Sequence, residues 1–225
     1  MKYIILLLLK GGIFMAKLRD PINSITHIVG AGLSVVGLIF LVILSVMYGT
    51  TINIVSCTIF GVSLILLYTF SALYHGVNVS EKVTNTLRKF DHIMIFILIA
   101  GTYTPIALGP LIGPWGWSIF GITWGIAIIG TIINAITLKA PRWLSTSLYV
   151  LMGWICLVAI VPMIQTFSIP ALLLLLLGGI SYTVGAVIYG KKKPNFKKLG
   201  FHEIFHIFVI LGSICHYIFV IVYCI

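Results

Sequence analysis

Apolar runs long enough to cross the hydrocarbon core of a bilayer recur seven times in this chain, at 25–47, 53–75, 91–110, 115–138, 145–165, 170–189 and 202–224. A helix of about 20 residues spans that core, and a helix satisfies its own backbone hydrogen bonds where water is absent. Hydrophobic residues make up 60% of the 225 and charged residues 8%, a balance that leaves no polar surface for a soluble domain. The connections are too short for an independent core, and no unit of about 20–50 residues repeats. The expected fold is an all-α membrane protein, a seven-transmembrane helix bundle over residues 25–225 behind a segment 1–24. Its expected place is the cell membrane, as a multi-pass protein.

The basic residues orient the bundle. Lys2, Lys10, Lys17 and Arg19 precede the first run; Lys82, Arg88 and Lys89 lie in the second connection; Lys139 and Arg142 lie in the fourth; Lys191, Lys192, Lys193, Lys197 and Lys198 lie in the sixth. The first, third and fifth connections carry none, so the bias toward alternate loops is complete. It predicts a cytoplasmic N-terminus and an external C-terminus. It also accounts for the formal charge of +10 without nucleic acid as a partner, because basic loops lie beside anionic headgroups. All four acids, Asp20, Glu81, Asp91 and Glu203, fall on or near that cytoplasmic side. Residues 4–9 resemble the apolar core of a signal peptide, but Lys10 ends the run early and no small-residue cleavage site follows. Met15 before Ala16-Lys17-Leu18-Arg19-Asp20 is a plausible translation start, which would discard residues 1–14. Cys57, Cys156, Cys215 and Cys224 sit in or at the ends of apolar runs without paired spacing and read as small hydrophobes.

Chemistry concentrates at the start of the seventh run, where His202-Glu203-Ile204-Phe205-His206 places two imidazoles one turn apart. Four residues turn a helix by about 400° and raise it about 6 Å, so both rings reach one ion from one face. Ionisable groups inside a span are costly, and their partners are to be sought on other helices. In the predicted topology His27 opens the first helix, His75 closes the second, and Asp91 and His92 open the third, all at the level of His202 and His206. Three neutral imidazoles with a fourth position open to water are the ligand set of a catalytic zinc. The preferred ligands are His75, His202 and His206. Asp91 would hold a water as acceptor and general base, and Ser71, one turn from His75, would contact that water or a substrate carbonyl. The plainer reading is that these histidines hydrogen-bond helix ends and lipid phosphates.

The pattern His-Glu-x-x-His also opens a rival, a metalloprotease site with Glu203 as base. Glu203 is rotated about 100° from His202, however, and it equally suits a helix N-terminus or pairing with Lys197 or Lys198. His92 reads as interfacial. His216, about 15 Å from His206, reads as an interhelical hydrogen-bonding group. Gly121 and Gly125 give a small-xxx-small packing pattern in the fourth run, and Pro105 and Pro162 are candidate kinks.

Together Asn23-Ser24-Ile25-Thr26-His27, Ser71-x-x-x-His75, Lys89-Phe90-Asp91, Gly101-Thr102-Tyr103-Thr104-Pro105 and His202-x-x-x-His206 resemble the hemolysin III family, the bacterial branch of the progestin and adipoQ receptor superfamily. The resemblance covers nearly all of residues 17–225. It implies a seven-helix bundle with the N-terminus inside, zinc held by His75, His202 and His206, and Asp91 acting through water. The family's Glu three residues before the Asn is Asp20 here, and the receptor relatives need no acid after the first His of the last pair.

Three functions follow as expectations. The first is a zinc-dependent hydrolase of a lipid amide or ester, similar to ceramidases, with membrane lipids as partners. The second is a bilayer-perturbing or pore-forming haemolysin active in cytolysis, although no charged ring or strongly amphipathic run lines a channel. The third is a receptor-like regulator with structural zinc.

Overall fold

The computed structural model describes residues 18–136, 142–197 and 199–225. The segment 1–14, the start at Met15, and Lys2, Lys10, Lys17, Lys139 and Lys198 lie outside the described residues. Among the described residues eight α-helices follow one another: α1 (Pro21–Tyr48), α2 (Thr51–Gly76), α3 (Glu81–Leu108), α4 (Pro114–Ile136), α5 (Arg142–Gly153), α6 (Ile160–Thr166), α7 (Ile169–Lys191) and α8 (Phe201–Tyr223). A 3₁₀ turn, Ile155–Ala159, joins α5 to α6, so that Trp143–Thr166 makes one interrupted span. Seven spans are thus long and apolar enough to cross a membrane, and the chain is an all-helical, multi-pass membrane protein.

Local chemistry explains the elements. Thr50 and Asn53 form a reciprocal capping box that starts α2: the Asn53 amide N–H donates to Thr50 Oγ1, and the Thr50 N–H donates to Asn53 Oδ1 at 2.8 Å. Hydroxyls inside the spans donate back to their own helices, as Ser34 does to the Gly30 carbonyl at 2.7 Å and Thr123 to that of Ile119 at 2.8 Å. No water competes at that depth, so back-bonding satisfies a group that would otherwise be stranded in hydrocarbon. Outward faces are aliphatic, with Ile136, Val158 and Ile169 more than 70% exposed, as a lipid-facing surface requires.

Successive spans run antiparallel. The start of α1 meets the end of α2, where the Asp20 N–H donates to the His75 carbonyl at 2.9 Å and Arg19 N–H to that of Gly76 at 3.2 Å. At the opposite end Asn53 Nδ2, in the first turn of α2, donates to the Cys224 carbonyl just past α8. The main core gathers α2, α3 and α8 around Phe60 and Phe219, almost fully buried, and Phe96 anchors a second cluster with Ala127 of α4 and Met152 of α5.

Three features differ from the sequence expectation. The third helix begins at Glu81, ten residues before the expected run, because an apolar window sees only the lipid-spanning part of a helix whose first turns carry Lys82, Arg88 and Lys89. The fifth span is broken at 155–159, one turn before Pro162; that proline has no N–H for the Val158 carbonyl and its ring crowds it. Gly121 and Gly125 are not packing positions, since a Cβ at either would meet nothing within 4 Å among the described residues. Gly130, one face away on α4, is the close approach, where a Cβ would lie 2.6 Å from the Phe96 ring.

Candidate metal centre

Where α1, α2 and α8 begin or end at one level, three imidazoles converge. His75, His202 and His206 each offer a nitrogen, and these atoms lie within 4.8 Å of one another, so the three together could hold a metal ion. His75 is 4% exposed and His206 is 1% exposed, so solvent satisfies neither ring. His75 Nε2 and His202 Nε2 stand 3.1 Å apart.

The orientation of His75 is set from α1. Its Nδ1–H donates to Asp20 Oδ2 at 3.0 Å, leaving the Nε2 lone pair facing His202. Asp20 is in turn held by Arg19 Nε at 3.3 Å, and the Arg19 guanidinium donates to the Tyr74 carbonyl and lies over the Tyr74 ring, 4.7 Å from its centre. The carboxylate that orients the first histidine is therefore itself anchored to the turn that carries that histidine. The sequence placed Asp20 at the right level but not in contact with His75; the backbone bonds between Asp20 and the end of α2 make that contact.

Asp91 stands with Oδ2 at 3.6 Å from His92 Nδ1, while that nitrogen donates to the Arg88 carbonyl at 2.8 Å. Asp91 and His92 line a polar chamber of about 270 Å³ together with Asp20, His75, Tyr189 and His202. Ser71 lies on α2 one turn from His75, 2% exposed, and lines neither this chamber nor its neighbour. The neighbour is an apolar cavity of about 390 Å³ between α3, the interrupted fifth span, α7 and α8, with walls such as Leu98, Val150, Leu175 and Val209. The two spaces share Arg88, Asp91, His92, Tyr189 and His202, so the polar chamber opens on the apolar one beside the histidine cluster.

The acid of the His-Glu-x-x-His pattern has a structural partner. Glu203 Oε1 accepts from Asn23 Nδ2 at 3.0 Å, tying α8 to α1, and the sequence did not pair these two. His27, 3% exposed, stacks on His206 with ring centres 3.6 Å apart and planes 10° from parallel. His216 faces α7 as expected, hydrogen-bonding the Leu175 backbone across the helix boundary, with its ring 5.4 Å from Tyr182 and against Gly178, while its Nδ1 is buried without a partner. The four cysteines are free, Cys57 and Cys224 being buried.

Residues 15–217 match the family described as Haemolysin-III related. The "Hemolysin-3 homolog" of Bacillus subtilis (strain 168) is 42% identical over 212 residues, covering 94% of this chain and 97% of that protein. The "Hemolysin-3" of Bacillus cereus is 42% identical over 191 residues, covering 85% of each chain.

Proposed function

The chain belongs to the haemolysin-III-related family, and on that premise we propose that it is a zinc-dependent hydrolase of a lipid amide or ester. The observation that carries the reading is the junction of a three-histidine cluster with a polar chamber and an apolar cavity. Each part has a use in lipid hydrolysis, and the three are adjacent.

The donor set fits zinc. Two nitrogens bound at about 2.0–2.1 Å to one tetrahedral ion stand about 3.3–3.4 Å apart, and His75 Nε2 and His202 Nε2 are already 3.1 Å apart. His75 also has the carboxylate behind it that ligating histidines usually have. His75, His202 and His206 would hold the ion and leave a position open. Zinc bound there supplies a Lewis acid that polarises a carbonyl and acidifies water.

The protein's own groups complete the reaction. The apolar cavity takes the acyl chain and excludes water from it, while the polar chamber takes the head of the lipid. Asp91, at the neck shared by both spaces, accepts a proton from the attacking water as its oxygen bonds to the carbonyl carbon. The bond from that carbon to the amide nitrogen or ester oxygen then breaks, and Asp91 returns the proton to the leaving group. Glu203 is occupied with Asn23 and has no part in the proton transfer. With the basic ends of the helices in the cytoplasm, the site lies just inside the inner leaflet, near the acyl linkages of bilayer lipids.

The test is hydrolysis of defined lipid amides and esters in mixed micelles by zinc-loaded protein. Release of fatty acid by the wild type and none by His202→Ala or Asp91→Asn is the expected result. Equal release by wild type and His202→Ala would refute the reading. The names of the two Bacillus relatives favour a second one, perturbation of bilayers. That reading predicts lysis of vesicles or erythrocytes that survives His202→Ala.

A further inference from the structure

Behind His206 lies a set of buried polar atoms that the hydrolase reading does not use. His27 Nδ1, His27 Nε2, His206 Nδ1 and Asn23 Oδ1 are all buried and make no hydrogen bond. An imidazole with both nitrogens unpartnered is costlier in a core than Phe or Leu of like size, so a purely packing role explains it poorly.

His27 is also held without freedom to turn. One face lies on His206, 3.6 Å away and within 10° of parallel, and its other contact is Tyr68, edge to face at 5.0 Å and 83°. Tyr68 is fixed by its hydroxyl, which donates to Ser213 Oγ at 2.8 Å. The Tyr68 ring reaches α1 only because residue 30 is glycine; a Cβ there would lie 2.8 Å from Tyr68 Cδ1. Ser213, Tyr68, His27 and His206 thus form a continuous stack from α8 through α2 and α1 back to α8.

The stack excludes His27 from the ligand set. An ion bound by an imidazole lies in the plane of that ring, along the nitrogen lone pair. An ion in the plane of His206 is well outside the plane of a parallel ring stacked on it, so His27 supports a ligand without becoming one. The support favours the loaded state, because a bound cation withdraws density from His206 and the face of a neutral neighbouring ring attracts an electron-poor partner. With Nε2 of His206 as the ligand atom, Nδ1 carries the proton. Asn23, one turn before His27, brings its backbone carbonyl to the His206 ring, so α1 supplies both a hydrogen-bonding group beside that ring and the imidazole stacked on it.

We propose that His27 is the positioning residue of His206. Its ring fixes the plane in which His206 offers its lone pair, and its nitrogens keep the buried surroundings of the His206 ring polar beside the Asn23 carbonyl. It does for His206 what Asp20 does for His75. This inference rests on the metal reading above.

The test measures affinity for zinc by chelator competition, and the visible spectrum of the cobalt(II)-loaded protein, for wild type, His27→Phe and His27→Leu in detergent. Phe keeps the stack and deletes the nitrogens; Leu deletes both. The expected order is wild type, then Phe weaker by about threefold to tenfold, then Leu weaker by about 10–100-fold, as loss of an outer-layer partner gives, with a changed cobalt spectrum. Wild-type affinity and spectrum in His27→Leu overturn the stacking role, and wild-type values in His27→Phe overturn the role of the nitrogens. If the Leu protein does not fold, the Phe protein decides alone. A wild type that binds no metal refutes the zinc reading itself, an outcome distinct from intact binding that is indifferent to residue 27.

Discussion

Replacing Asp20 tests how the first histidine is held. The carboxylate accepts the Nδ1 proton of His75 at 3.0 Å, which fixes the tautomer with the Nε2 lone pair toward His202. Loss of such a partner typically weakens metal binding by about 10–100-fold, or about 1.4–2.7 kcal/mol. The side chain of Asp20 is 42% exposed whereas that of His75 is 6% exposed, so water replaces part of what the carboxylate does. The lower end of the range therefore applies. Asp20→Ala is expected to weaken zinc by about tenfold. Asp20→Asn is expected to lose about threefold, since its amide oxygen still accepts but carries no charge. Chelator competition in detergent at one fixed pH and salt concentration gives the numbers directly. Unchanged affinity in Asp20→Ala would mean that the carboxylate does not orient His75. A loss of a thousandfold or more would mean that Asp20 is itself a ligand.

Glu203→Gln keeps an oxygen for Asn23 and is expected to retain lipid hydrolysis within about threefold, as measured by fatty-acid release; a general base would cost about 10²–10⁴-fold. Gly130→Ala drives a Cβ to 2.6 Å from the Phe96 ring and is expected to cost about 1–3 kcal/mol in thermal unfolding, whereas Gly121→Ala meets nothing and gains helix propensity. Equal melting of the two glycine variants would contradict the packing described for α4. Leu175→Trp, in the wall of the apolar cavity, is expected to leave zinc content unchanged while lowering turnover of long-chain substrates more than of short-chain ones.

Much of this was legible from residue spacing. Seven apolar runs gave seven spans, and alternation of helix direction was enough to bring His75 to His202 and His206 from more than a hundred residues away. What escaped was anything decided by side-chain direction at fixed helix level. Asp20 and His27 were both expected near the site, yet only packing reveals that one accepts a hydrogen bond from His75 and the other lies flat on His206. The start of α3 escaped because hydropathy measures the lipid, and the polar turns from Glu81 to Lys89 stand outside it. Pro162 announced a disturbance but not its place, since a proline acts on the carbonyl one turn before it. The spacing of Gly121 and Gly125 misled because a small-residue pattern carries no information about whether a neighbour is present.

The central claim is that His75, His202 and His206, from two different helices, hold one metal ion. Elemental analysis of the purified protein tests it most directly, comparing wild type with His75→Ala and His202→Ala under conditions where all three show the same helical content. The account predicts about one zinc per chain in the wild type and loss of it in both variants. A well-folded wild type without stoichiometric metal, or metal retained when either histidine is removed, would contradict it.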